Sequence, residues 1–380
     1  MKILSFLIWE MTNRGLMEYY IQVKDEDKII YPISLTNSFK KNYHMLKDLD
    51  VEKKKVCIIS DSNVSKLYTD EIYTAISKDV KEVHTFIFSS GEKQKNLETV
   101  YSLYERLIEL KFDRKDILIA LGGGVVGDLT GFVAATYLRG ISFLQIPTSL
   151  LAMVDSSIGG KTGVDFLGYK NMIGAFHQPT AVHINVKTLK SLPKEHFYNG
   201  MAEILKHGLI KNIDYFKWLE NNEDSINSFN LDIIMEMIYK SCIIKKEVVE
   251  KDPKEQGQRA LLNFGHTIGH AIEKAMHFNL LHGECVALGM VAACHISLNR
   301  AYLTKEEFEY IINILKDFNL PVNLSSGLVN IDSLLEIIKH DKKHESGKLK
   351  FVLLKEMGHA YIETNVSTND IIAALNYILI

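Results

Sequence analysis

Asp116-Ile117-Leu118-Ile119-Ala120-Leu121-Gly122-Gly123-Gly124-Val125-Val126-Gly127-Asp128 is a short apolar run that meets three glycines and turns helical over Leu129–Leu138. An apolar run without polar alternation predicts a strand buried on both faces, as in a parallel sheet. The glycines after it allow backbone amides to approach a phosphate, and the positive end of the following helix favours the charge. They match GxGxxG spacing but depart from the usual dinucleotide fingerprint. The motif follows a late strand, and no acid stands at a strand end about twenty residues on. Asp61, which closes the earlier run Lys55–Ser60, is better placed to meet ribose hydroxyls, with Glu92 and Lys93 on the turn after the next strand.

Outward from this stretch the same rhythm repeats. Apolar runs at 55–60, 82–88 and 141–147 predict strands, and 96–110 predicts an amphipathic helix with Val100, Leu103 and Leu107 on one face. Strand and helix in alternation predict an α/β Rossmann-like domain with a parallel sheet and ligand loops at its carboxyl edge. Met17–Val23 is its expected first strand. From Pro193 to about Leu315 the pattern is mainly helical, followed by a small hairpin around Met357-Gly358 and a last helix over 369–378. The expected division is therefore an extension over 1–16, an α/β domain over 17–190 and a mainly α-helical domain over 191–380.

Composition narrows the function classes. The chain has 380 residues, 47% hydrophobic and 24% charged, with a formal net charge of −3, which suits a soluble two-domain protein. That balance gives no electrostatic footprint for nucleic acid or a membrane surface. The apolar run Met1–Trp9 is too short to span a bilayer. Cys57, Cys242, Cys285 and Cys294 are far apart with no CxxC, which predicts buried thiols and a reducing cytoplasm.

Three clusters carry chemistry. Asn263-Phe264-Gly265-His266-Thr267-Ile268-Gly269-His270, followed by Leu281-His282-Gly283-Glu284, supplies three histidines, and His266 and His270 share a helix face at i and i+4. A further ligand for a divalent metal has to come from elsewhere, and Glu203 in Met201–Gly208 offers one. Thr267 stands where a zinc peptidase needs its general-base Glu, so this is no HExxH peptidase. The segment Thr148–Gly163 carries Thr148, Ser149, Asp155 and Lys161 in a glycine-rich loop, with Lys170, Asn171 and Arg139 close in sequence, a basic set that suits an anionic substrate. The third cluster is Lys245, Asp252, Glu255, Arg259 and Asn263, with a helix break expected near Pro253 and Gly257. A lone histidine is more often structural than a ligand; three with a Glu beside glycines favour a metal.

Taken together and in this order, these motifs resemble the 3-dehydroquinate synthase family of sugar-phosphate cyclases over about residues 17 to 365. The Asp155–Gly163 string is the most specific of them. The resemblance implies a metal, Zn or Co, on Glu203, His266 and His282, which moves His270 from ligand to substrate or proton-transfer residue. It implies NAD⁺ on Asp61, Glu92, Lys93, Gly123, Gly124, Val125, Gly127, Asp128, Thr148 and Ser149, with Asp155, Lys161, Lys170 and Ser191. It implies a sugar-phosphate substrate on Lys161, Lys170, Asn171, Lys245, Glu255, Arg259, Asn263 and His270, aided by Lys206, by Lys342 or Lys343, and by Arg139 from a partner subunit of a homodimer.

The reaction so implied is cyclisation of 3-deoxy-D-arabino-heptulosonate 7-phosphate in the shikimate pathway. A hydroxyl is oxidised by NAD⁺, phosphate is eliminated, the ketone is reduced again, and an intramolecular aldol step closes the ring. The cationic pair Lys245 and Arg259 favours this over related cyclases whose substrates lack a carboxylate, such as 2-deoxy-scyllo-inosose synthase. A metal-dependent polyol dehydrogenase of the glycerol-dehydrogenase type would have no use for so many phosphate-binding lysines. A silent NAD or sugar-phosphate sensor would have lost a member of these clusters. Asn185, where the family usually has Asp, is a mild departure.

Overall fold

The computed structural model describes residues 18–39, 51–344 and 349–380. The extension read over 1–16 lies outside the described residues. The chain falls into two compact units, one running to Leu192 and taking in Ile234–Lys246, the other made of Pro193–Ile233 and Glu247–Ile380.

The first unit is built in the order β1 (Tyr19–Asp25), β2 (Lys28–Thr36), β3 (Lys55–Asp61), α1 (Ser65–Ile76), β4 (Glu82–Phe88), α2 (Leu97–Glu109), β5 (Ile117–Gly122), α3 (Gly124–Thr136), β6 (Ser142–Pro147), β7 (Lys161–Phe166), β8 (Tyr169–Phe176) and β9 (Ala181–Asn185). Seven strands form one sheet in the order β1-β2-β9-β6-β5-β3-β4. All neighbours run parallel except β1, which pairs antiparallel with β2 at the edge.

The apolar runs are continuous because both sheet faces are covered. Cys57, Ile59, Leu118 and Ala120 pack with Val100, Leu103 and Leu107 of α2 and Leu129 and Val133 of α3. The alternate residues Val56, Ile58, Ile117, Ile119 and Leu121 pack with Ile72 and Ile76 of α1. Each fully buried aliphatic side chain of this kind contributes about 1.5–3 kcal/mol. Strand β3 has β4 on one side and β5 on the other. The chain thus reverses its direction of travel across the sheet at β3, and the carboxyl ends of β3 and β5 flank the crevice where open α/β sheets hold ligands.

One segment differs from its sequence reading. Lys161–Gly163, read as the end of a glycine-rich loop, is the start of the hairpin β7–β8, closed by Leu167-Gly168 with both residues at positive φ (50° and 79°). Such a two-residue turn matches the twist of paired strands. Gly163 and Gly174 face each other across the ladder, and a Cβ on Gly163 would lie 2.8 Å from the Ile173 carbonyl oxygen. The glycines there serve close strand pairing rather than loop freedom.

The second unit holds α4 (Lys194–Lys211), α5 (Ile213–Asn221), α6 (Glu223–Asn227), the ends of α7 (Leu231–Lys251), α8 (His266–Ala275), α9 (His282–Asn299), α10 (Lys305–Asp317), α11 (Ile331–His344), the hairpin β10 (Phe351–Glu356) and β11 (His359–Glu363), and α12 (Thr368–Ile378). The break expected near Pro253 and Gly257 falls between Lys251 and a 3₁₀ turn over Gln258–Asn263. Asp252 closes it: its carboxylate accepts the N–H groups of Gln256 (2.8 Å), Gly257 (2.7 Å) and Arg259 (3.0 Å). Burial works against the charge of Asp252, but these three donors outweigh it and hold the carboxyl below its usual range. All four cysteines are buried and none is in a disulfide. Among the described residues no helix is long and apolar enough to cross a membrane.

Candidate active site

In the first unit the loops at the carboxyl ends of β3 to β6 are tied together. Ser62 N–H donates to the Phe88 carbonyl (2.8 Å) and Thr148 N–H to that of Gly122 (3.0 Å). Asp61 Oδ1 accepts the N–H groups of Asn63 (2.8 Å) and Val64 (3.0 Å), which fixes its carboxylate at the end of β3. Helix α3 starts at Gly124 with no side-chain cap on its first turn, so its amide donors are open to an anion. A Cβ on Gly123 would meet only Ser149 Oγ at 3.4 Å, and one on Gly124 would meet Ser156 Oγ at 3.2 Å. Gly127, by contrast, lies against Gln145, 2.8 Å from where a Cβ would stand. Val125 heads the same turn beside Gly124.

Lys93 is exposed, and Lys95, two residues further, takes the buried position. Its Nζ donates to Asp128 Oδ2 (2.6 Å) and to Asn171 Oδ1 (2.5 Å), while the Asn171 N–H donates to Asp165 Oδ1 (2.9 Å). Lys170 faces Glu92 at 3.7 Å. The hairpin β7–β8 is thereby fastened to α3 and to the turn after β4. Burial works against the Lys95 charge, but Asp128, Glu92 and Asp165 outweigh it and raise its proton affinity. Burial raises the Asp128 carboxyl from its ordinary value against the pull of Lys95.

Lys95→Met leaves Asp128, whose side chain is 18% exposed, without its cation, which is expected to cost somewhat less in chemical unfolding than the about 3–5 kcal/mol of a fully buried pair. Asp128 has a folded-state pKa above its unfolded one, so its contribution to stability falls as pH rises. The Lys95→Met deficit should accordingly be larger at pH 8 than at pH 5, and adding Asp128→Asn should recover most of it. An equal deficit at both pH values would mean that the ion pair is not what the lysine supplies.

Asp155, in the π-helical turn Ala152–Ser156, engages Lys245, whose Nζ reaches its carboxylate and, at 2.5 Å, its backbone carbonyl. Lys161, at the start of β7, is exposed. Two residues stand apart: Ser191 Oγ pairs with the Tyr68 hydroxyl (2.5 Å), and Arg139 is exposed on a turn where Leu138, Arg139 and Gly140 all have positive φ.

The second unit gathers the metal-type donors. Glu203, Lys206 and His207 lie on α4, with Glu203 fully buried and Lys206 1% exposed. Glu203 Oε1 lies 3.8 Å from His266 Nε2 and 3.8 Å from His282 Nε2. Among the described residues it has no hydrogen-bond partner, and Glu203 Oε2 contacts Lys206 Nζ. A buried carboxylate oxygen without a donor, facing two imidazole nitrogens, is what a cation of the zinc class fits. Among the described residues this trio is one group whose donor atoms lie close enough to hold a metal ion, and His270, Glu273 and His282 form another beside it.

Local structure fixes each donor. His266 opens α8 directly after Gly265, whose φ of +81° suits glycine alone. His266 Nδ1 lies 3.2 Å from the Phe264 carbonyl, which leaves Nε2 for a metal. Burial, then the charges of Lys206, His270 and His282, hold this imidazole well below its usual range, so it is neutral at pH 7. His282 opens α9, where Glu284 accepts the Leu281 N–H (2.8 Å) and Asn199 Oδ1 accepts that of Gly283. His270, exposed, has its ring centroid 5.1 Å from that of His266 and 5.9 Å from that of His282.

Arg259 is 2% exposed and donates through Nη1 to the Pro253 carbonyl (2.6 Å). Glu255, at φ +56°, accepts Asn263 Nδ2 (2.9 Å). Lys342 falls on α11, but its side chain lies outside the described residues. Sequence reasoning missed Lys95 and Glu273. The second is an acid on α8, 3% exposed, with Oε2 3.7 Å from His282 Nδ1. Its signal was an acid three residues after His270, directly following the apolar pair Ala271-Ile272.

Comparisons with known proteins give the family and the fold. The family model for the 3-dehydroquinate synthase N-terminal domain matches residues 85–199, and that for its C-terminal domain matches residues 200–344. The 3-dehydroquinate synthase of Ruminiclostridium cellulolyticum is 43% identical over 357 residues, 94% of this chain and 98% of its own. Among solved structures, 2-epi-5-epi-valiolone synthase from Streptomyces hygroscopicus, with NAD⁺ and Zn²⁺ bound, superposes with a TM-score of 0.85 at 26% identity, covering 94% of this chain and 99% of that one. A 2-deoxy-scyllo-inosose synthase complexed with carbaglucose-6-phosphate, NAD⁺ and Co²⁺ gives 0.83 at 26% identity, covering 95% and 100%.

Proposed function

The chain belongs to the 3-dehydroquinate synthase family, and from that premise we propose how its own residues convert 3-deoxy-D-arabino-heptulosonate 7-phosphate to 3-dehydroquinate and phosphate. The observation that carries the site is the buried Glu203 oxygen, without a hydrogen-bond donor, facing His266 Nε2 and His282 Nε2 at 3.8 Å each. Glu203, His266 and His282 would hold a divalent metal, Zn²⁺ or Co²⁺, as the related cyclases do. When bound, the metal lowers the pKa of a substrate hydroxyl and NAD⁺ accepts and returns a hydride, so that no net redox results.

The remaining roles fall to side chains and amides of the chain. Asp61, its Oδ1 occupied by two backbone N–H groups, would offer the other oxygen to ribose hydroxyls. The amides of Gly123, Gly124 and Val125 at the start of α3 would hold the pyrophosphate, with Gly127 and Asp128 completing that turn. Glu92, Lys93, Thr148, Ser149, Asp155 and Ser191 would make further cofactor contacts, with the buried Lys95 beside them.

Lys161, Lys170 and Asn171, on the hairpin that Lys95 secures, would bind the substrate phosphate, with the partner subunit's Arg139 added in a homodimer. Lys245, Arg259 and Asn263 would hold the carboxylate. Lys206 and Lys245 would stabilise negative charge as it develops, and His270 would move a proton near the substrate. Glu255 would orient Asn263. The domains would then be an NAD-binding α/β unit and a helical metal- and substrate-binding unit, with Lys245 supplied to the first by the inserted stretch Ile234–Lys246.

The experiment is a phosphate-release assay with the heptulosonate phosphate, NAD⁺ and Zn²⁺, with NADH absorbance followed in parallel. Stoichiometric phosphate and dehydroquinate without net NADH is the expected result. NADH accumulating on simple polyols without phosphate release would point to a dehydrogenase instead. Arg259→Ala is expected to raise KM for the substrate about 10–100-fold, the loss of a charge-assisted contact, with metal content unchanged. Unchanged kinetics would remove Arg259 from the carboxylate site.

A further inference from the structure

We infer that Glu273 is the outer partner of the metal ligand His282, holding its imidazole through Nδ1 so that Nε2 is presented to the metal. This rests on the metal reading above. His282 stands between two buried carboxylates on opposite ring nitrogens: Glu203 Oε1 lies 3.8 Å from Nε2 and Glu273 Oε2 lies 3.7 Å from Nδ1. A neutral imidazole carries one proton, and an acid at Nδ1 draws it there, leaving the lone pair on Nε2.

His266 has the same arrangement by other means, with its Nδ1 at 3.2 Å from the Phe264 carbonyl and its Nε2 toward Glu203. Both rings thus turn Nδ1 to an acceptor and Nε2 to one carboxylate oxygen. The backbone contacts of Leu281 and Gly283 fix where His282 begins but not how its ring is turned, and its side chain is 26% exposed. Glu273 is 3% exposed, on the face of α8 that it shares with His266, Gly269 and His270. An acid so little exposed is costly unless it is paired, and His282 Nδ1 is one polar group that it faces. Held by Glu273, the ring cannot swing into solvent, and less ordering is left to the binding step.

The test measures Zn²⁺ affinity of the full-length metal-free chain by competition with a chromophoric chelator, beside the melting temperature of the same sample. Glu273→Gln, close to isosteric, is expected to weaken binding about 10-fold and Glu273→Ala up to about 100-fold, with the metal-free melting temperature of Glu273→Gln near that of the parent. Glu203→Ala serves as the control that removes a ligand. Unchanged affinity in both Glu273 variants, with binding lost in Glu203→Ala, would overturn this inference and leave the metal reading standing. A lowered melting temperature with unchanged affinity would overturn it too, because Glu273 would then serve packing alone. Two ions bound by the parent and one by Glu273→Gln would make Glu273 a ligand in its own right, contrary to the proposal. No binding by the parent chain would overturn both readings together.

Discussion

Glu203→Ala is expected to strip the protein of metal and of turnover together, by about 1000-fold or more in each. Glu203 is fully buried and supplies the only negative charge of the trio Glu203, His266 and His282. Without it a dication would meet two imidazoles and the Lys206 ammonium, which lies against the carboxylate. Repulsion from Lys206 then opposes binding where the ion pair had been neutral before the metal arrived. Several kcal/mol of charge stabilisation rest on the bound cation, and about 4 kcal/mol corresponds to a factor of about 1000 in rate. Metal per chain after gel filtration and phosphate release are the two measurements. Full metal retention with lost turnover would mean that Glu203 acts on the substrate and that the ligand set lies elsewhere.

The parts of the molecule that could be read from the chain are those fixed by local pattern. The run Asp116–Leu121 has no polar alternation because both faces of β5 are covered, by α2 and α3 on one side and by α1 on the other. The glycines after it were legible because a strand, a tight turn and a helix start make successive demands on backbone freedom. The choice between neighbouring lysines was not legible. The 3₁₀ turn Glu92–Gln94 leaves residue 93 in solvent and brings residue 95 inward, and nothing in Glu92-Lys93-Gln94-Lys95 predicts which way that turn faces.

Helical spacing alone pairs His266 with His270, since i and i+4 share a face. The nitrogen that reaches Glu203 alongside His266 instead belongs to His282, at the start of another helix. A contact of that kind depends on how α8 and α9 cross, which spacing cannot express. The hairpin β7–β8 was obscured for a similar reason. Its glycines read as loop residues until the facing strand is known, when they become positions of close backbone approach.

The crossing of α8 and α9 carries the second large expectation, that Gly289→Ala loosens the metal site without touching any ligand. A Cβ on Gly289 would collide with the Gly265 carbonyl and stand 2.9 Å from the Gly269 nitrogen. The contact is reciprocal, because a Cβ on Gly269 would lie 2.8 Å from the Cys285 carbonyl and one on Gly265 2.7 Å from that of Val286. All three clashes are with backbone, which has no rotamer to yield, so the helices have to part. His266 follows Gly265 directly and His282 lies seven residues, two turns, before Gly289 on the same helix. Separation of the helices therefore widens the gap between the two imidazoles that face Glu203. Overpacking of this kind costs about 1–3 kcal/mol or somewhat more, a stability loss that unfolding experiments on the metal-free protein would record. The larger effect is expected in Zn²⁺ affinity, about 100-fold, because ligand distances tolerate deviations of only about 0.2 Å. NAD⁺ affinity, which the proposed function assigns to residues of the first unit, should be unchanged. Equal losses in both affinities would indicate general unfolding, and unchanged Zn²⁺ affinity would mean that the site adapts to its helices rather than being set by them.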